Sequence, residues 1–208
     1  MEDILDVYAR EVDPSKPLVC LDEFCKQLLS DKRESLPMKT GQPRRYDYEY
    51  KREGSASAFM LSCPHLGRRE VFISEQARRT AVDFAYAMEY VADTMFPQVE
   101  KITLVMDNLN THTIASLYSA FEPQKAFRLS KKFEIHYTPK HGSWLNIAEI
   151  EISILARTCL NQRINTIDTF RSITQANIER RNKENKPIQW QFDIPQARDK
   201  LKSLYPNF

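Results

Sequence analysis

Two short apolar runs, each closed by an aspartate, constrain the fold of this chain most. Leu-Val-Cys-Leu-Asp-Glu occupies 18–23, and Ile-Thr-Leu-Val-Met-Asp-Asn occupies 102–108. Runs this short and this apolar suit strands buried on both faces of a sheet. Between them lies Thr80–Phe96, where Phe84, Met88, Val91 and Met95 recur on one helical face and Pro97 supplies a stop. Buried strands alternating with such a helix require an α/β architecture, and ligand sites there lie beyond the carboxyl ends of the strands.

The rest of the chain fills in that architecture. Residues 2–10 predict a short amphipathic helix carrying Ile4, Leu5 and Tyr8, broken by Asp13-Pro14-Ser15-Lys16-Pro17. Leu18–Phe24 is the first strand and Ser30–Arg45 a polar loop. Tyr46–Tyr50 alternates at period two and predicts a second strand, joined by a turn at Lys51–Gly54 to a third over Ser55–Cys63. Glu70–Ser74 is a short further strand or an extension. Lys101–Met106 and Phe133–Tyr137 are strands around a helix at Thr113–Phe121, which Asn110 or Thr111 caps. A helix over Leu145–Leu160 presents the stripe Ile147, Ile150 and Ile154. Further helices are expected at 166–181 and Pro195–Leu204, with a loop over Asn182–Pro187. This order matches the ribonuclease H-like fold, a mixed five-stranded sheet flanked by helices.

Three carboxylates fall where that order brings strand ends and a later helix together. Asp22 serves as a cation ligand or as a plain turn residue. Its neighbour Glu23 points to the opposite face, so only one of the two joins a cluster. Asp107 is a ligand or a cap for the next helix. Glu149 and Glu151 stand about 200° apart on their helix, so they cannot both face one site; Glu149 is the site candidate and Glu151 the solvent candidate. Clustered carboxylates repel one another unless a cation neutralises them. Hard oxygens suit Mg²⁺ or Mn²⁺, ions that drive in-line attack at phosphate. Asn108, His112, His141 and Asn146 are neighbours that orient a carboxylate or touch phosphate, or that make structural hydrogen bonds. Trp144 is expected to pack under its loop.

Composition removes other classes. The 208 residues suffice for one domain, with a lead-in helix and linker at 1–16 and a catalytic domain at 17–208. No apolar stretch reaches the length of a membrane span, and the acidic start is not a signal peptide, so the expectation is a cytoplasmic, nucleoid-associated protein with no membrane partner. Four cysteines at 20, 25, 63 and 159 lack zinc spacing and read as plain thiols. Residues 1–124 sum to a charge of −5 and 125–208 to +7, although the whole chain is only +2. A basic C-terminal half suits a polyanion, with Lys131, Lys132, Lys140, Arg157, Arg163, Arg180 and Arg181 as candidate DNA phosphate contacts.

At LDEF (21–24), VMDNLNTH (105–112) and TPKHGSWLNIAEIE (138–151) the chain resembles DDE transposases of the mariner superfamily, in the bacterial insertion-sequence branch. The resemblance implies a catalytic and metal triad of Asp22, Asp107 and Glu149 holding two Mg²⁺ or Mn²⁺ ions. It implies hydrolysis at transposon ends, strand transfer into target DNA at TA, and self-association in a synaptic complex. Family members usually begin with helix-turn-helix modules, and Met1–Tyr8 resembles the linker after them, so the expectation is the second frame of a split gene, with an upstream frame supplying that region, or a truncated copy or trimmed product. The 41 residues between Asp107 and Glu149 exceed the family's usual gap, and Glu122–Lys132 is the expected loop insertion. Two rivals share the sequence: a non-mobile nuclease of the same fold, and a catalytically silent DNA-binding or dimerising fragment that regulates a full-length transposase.

Overall fold

The two apolar runs lie side by side at the centre of a sheet. The computed structural model describes residues 1–33, 36–43, 45 and 48–205. Its strands are β1 (Leu18–Asp31), β2 (Tyr50–Cys63), β3 (Arg68–Phe72), β4 (Ile102–Met106) and β5 (Phe133–Tyr137). The helices are α1 (Glu2–Ala9), α2 (Ala81–Glu89, continuing as a π-turn over Tyr90–Met95), α3 (Ala115–Ala120), α4 (Pro123–Lys132), α5 (Ile147–Thr158), α6 (Ile167–Glu184) and α7 (Ile194–Lys200). The sheet order is β3-β2-β1-β4-β5. β1, β2 and β3 pair antiparallel, and β4 pairs parallel with both β1 and β5. The expected mixed five-stranded α/β sheet is therefore present.

Strand alternation sorts the core onto two faces. Leu18, Cys20 and Phe24 of β1 and Val105 of β4 pack with α1, α5 and α6. Val19 and Leu21 of β1, with Leu104 and Met106 of β4, pack with α2, α3 and α4. α2 begins with a capping box in which Thr80 and Asp83 exchange hydrogen bonds. α1 is part of the first core: Ile4 and Leu5 are buried against it.

Five local expectations are corrected. β1 does not stop at Phe24 but runs to Asp31, pairing throughout with one continuous β2 that begins at Tyr50. The expected turn at Lys51–Gly54 is therefore strand, with Gly54 at a φ of +118° and a register shift between Leu28 and Leu29. Its polar residues misled because they are exposed; ladder pairing, not burial, holds them extended. Tyr46 and Asp47 lie outside the described residues. Glu122–Lys132 is not a loop: Pro123 opens α4, and Ala126 and Leu129 bury one side of it. α3 starts only at Ala115, without a side-chain cap from Asn110 or Thr111. The α5 stripe is Ile147, Ala148, Glu151 and Leu155, whereas Ile150 is exposed. No helix among the described residues is long and apolar enough to cross a membrane.

Candidate active site

Parallel pairing places the two aspartates. β1 and β4 stay in parallel register as far as Cys20, which lies opposite Val105. Asp22 lies two residues past that pair, within β1 and opposite Met60 of β2, and Asp107 directly follows the last residue of β4. α5 packs over the face of Cys20 and Val105, with Glu149 in its first turn. Burial pushes the Asp22 carboxyl up to about 7; the hydrogen bond from the Glu23 N–H opposes this, and the charges of Asp107 and Glu149 add to it. All three predicted carboxylates thus share one electrostatic neighbourhood.

Among the described residues no three His, Cys, Asp or Glu side chains close tightly enough to enclose an ion. The donor set itself fits a hard divalent cation: three carboxylates, one of them paying a burial penalty that positive charge would remove.

His112 is fully buried and stacks on Phe84 at 4.7 Å. Its Nδ1 bonds to Asp107 and its Nε2 lies 3.2 Å from Glu23 Oε2. Two carboxylate acceptors require both ring nitrogens to donate, hence an imidazolium. Burial alone would lower its pKa, but the bonds to Asp107 and Glu23 prevail and raise it to about 9. Arg79, entering α2, completes the chain with a 2.9 Å bond to Glu23. Glu23 does face away from Asp22, as alternation requires. It reaches the site by another route, through His112 around the end of β4. Sequence reading missed that role, because the contact joins residues 89 positions apart.

The remaining neighbours separate. Asn146 caps α5, accepting from the Ala148 N–H, and its Nδ2 donates to the Leu21 carbonyl. Its amide is spent inside the protein. Asn108 and His141, with Asp107 and Lys140, line an open cleft of about 390 Å³. His141 adopts a φ of +64°. Gly142 follows it because a Cβ there would meet Pro139 at 2.6 Å. Trp144 stacks on Trp190 at 6.5 Å and meets Phe192 edge-on at 5.9 Å, yet remains partly exposed.

Glu151 is corrected from solvent to core. It is 1% exposed and paired with Arg69 and Arg181. Arg181 is therefore a strut between α5 and α6 rather than a phosphate contact. Lys132 is likewise withdrawn, because its buried ammonium donates to the carbonyls of Ala92, Phe96 and Pro97. Arg163 is engaged by Asp31 and the carbonyls of Tyr48 and Glu49, and Arg180 by Glu184. Lys131, beside the Phe127 ring, Lys140 and Arg157 remain exposed. Of these, only Lys140 lines the cleft beside Asp107.

Known proteins share the fold of this chain. Residues 17–171 match the family described as DDE superfamily endonuclease. Among solved structures, the Mos1 mariner paired-end complex with Mn is similar at a TM-score of 0.56 and 14% identity, over 86% of this chain and 52% of that chain. The Mos1 strand transfer complex gives 0.56 and 13%, over 86% and 51%. The Mos1 paired-end complex with Mg gives 0.54 and 15%, over 91% and 54%. This chain spans about half the length of those relatives, and at this identity they show the shared ribonuclease H-like fold. No curated protein sequence matches. With the family match covering most of its length, the chain belongs to the DDE superfamily endonucleases.

Proposed function

We propose that this chain is the catalytic domain of a mariner-type transposase, cleaving phosphodiester bonds at transposon ends and joining the freed 3′ end to target DNA. The observation that carries the reading is the convergence of Asp22, two residues past the Cys20–Val105 pair, Asp107, directly after β4, and Glu149, in the first turn of α5, with both of the latter charges reaching Asp22. Asp22, Asp107 and Glu149 hold two Mg²⁺ or Mn²⁺ ions in this reading. Such ions supply activation of the attacking oxygen and charge neutralisation at the leaving oxygen. The chain's own residues do the rest. The imidazolium of His112 fixes the rotamer of Asp107, and Glu23 and Arg79 hold the ring. Lys140, at the rim of the cleft, contacts backbone phosphate and gives affinity without sequence readout. DNA is the partner, and self-association in a synaptic complex follows from the same reading. A helix-turn-helix region and a TA target belong to it as well.

Substrate choice tests the proposal. In Mn²⁺ the protein is expected to nick duplex DNA and to join its 3′ ends to a second duplex, and Asp107→Asn is expected to do neither. Preferential cleavage of an RNA–DNA hybrid would replace the transposase with a ribonuclease. Cleavage surviving in Asp107→Asn would remove the site altogether.

A further inference from the structure

Glu149 meets the aspartates only if α5 begins at the right distance from β1. Two buried side chains from opposite ends of the sequence hold that junction. Asn146 Nδ2 donates 2.8 Å to the carbonyl of Leu21, the residue before Asp22. Its Oδ1 accepts at 3.1 Å from the N–H of Ala148, the residue before Glu149. Tyr8, on α1, brings its hydroxyl to the same place. It donates 2.7 Å to the Leu145 carbonyl, accepts from the Ile147 N–H at 3.4 Å, and lies 3.5 Å from Cys20 Sγ. Every partner of that hydroxyl therefore sits on β1 or at the entry to α5.

Packing accounts for the Tyr8 ring, which lies against Trp190 at 5.1 Å. It does not account for the hydroxyl, since phenylalanine would fill the same space without a polar atom to satisfy. Tyr8 is 7% exposed and Asn146 1%, so water does not compete for these bonds. We propose that Tyr8 and Asn146 are positioning residues that set the separation of Asp22 from Glu149, which makes α1 a working part of the cation site. This inference rests on the cation-binding reading given above.

The test is Mn²⁺ affinity by calorimetry on the full chain without DNA, with a thermal melt of each variant. Tyr8→Phe is expected to bind Mn²⁺ about 10-fold more weakly, the loss usual for supporting partners of metal ligands. Asn146→Ser, which keeps a capping oxygen and loses the amide, is expected to do the same. Lys132→Met, on the other face, should melt lower while binding Mn²⁺ as the wild type does. In a Glu149→Gln background, Tyr8→Phe should cause no further loss. Wild-type affinity in folded Tyr8→Phe or folded Asn146→Ser overturns the positioning role alone. So does an additional loss in the Glu149→Gln background. A wild type that binds no Mn²⁺ overturns the cation site itself, and the positioning role with it.

Discussion

At the scale of single residues, Asp22 sets stability against chemistry. Burial, with the charges of Asp107 and Glu149 adding to it, holds its proton to about pH 7, against an ordinary value of 3.8. The unfolded chain releases that proton near 3.8 and the folded chain near 7. Between those values the folded state binds the extra proton, so stability falls as pH rises and the penalty is complete above 7. His112 acts in the same direction higher up: its raised pKa contributes stability that is present below 6.5 and lost as pH rises through about 9. Removing the charge at Asp22 should therefore stabilise the metal-free fold. In chelator, Asp22→Asn is expected to melt above the wild type, by more at pH 8 than at pH 5, while losing cleavage. Equal shifts at the two pH values, or a lower melt at pH 8, would contradict the assigned strain. Asp107 was legible from local pattern as the acid that follows a buried strand, and Asp22 as the acid that closes an apolar run, although β1 continues past it to Asp31. Glu23 was not, because its role exists only once His112 folds beneath the sheet.

At the scale of elements, α5 shows how a helix can be right in place and wrong in rotation when read from pattern. Its isoleucines suggested a stripe through Ile150, yet Ile150 is exposed and Glu151 is buried. Apolar periodicity cannot reveal a buried carboxylate whose partners, Arg69 on β3 and Arg181 on α6, are remote in sequence. This cluster fastens α5 between β3 and α6, and Arg69 also donates to the carbonyls of Arg181 and Lys186. Breaking a buried ion cluster leaves uncompensated charge. Glu151→Ala is thus expected to cost about 3–5 kcal/mol of unfolding free energy, measured by denaturant titration. A loss below about 1 kcal/mol, the range of exposed pairs, would show that the cluster is not a strut. The same limit explains α4, whose polar surface hid the apolar pair Ala126 and Leu129, and the long β1–β2 pairing, which depends on a partner strand rather than on composition.

At the scale of the whole molecule, the mixed five-stranded α/β sheet was legible because buried runs and crossover helices leave few topologies open. The site followed, since the parallel pairing of β1 and β4 ends just before Asp22 and Asp107, and α5 packs over the same side of the sheet with Glu149 in its first turn. Charge was a poorer guide. The basic C-terminal half suggested Lys132 and Arg181 among its phosphate contacts, but both are spent inside the fold. Total charge counts such residues as though all were on the surface, and only three dimensions show which cations water and DNA can reach. The central claim remains that Asp22, Asp107 and Glu149 act as one site. The most direct measurement is Mn²⁺-dependent nicking of supercoiled plasmid by the wild type beside Asp22→Ala, Asp107→Ala and Glu149→Ala, each confirmed folded by its melt. Nicking by the wild type, and its loss in every one of the three variants, is the predicted result; nicking that persists in any of them would contradict the account.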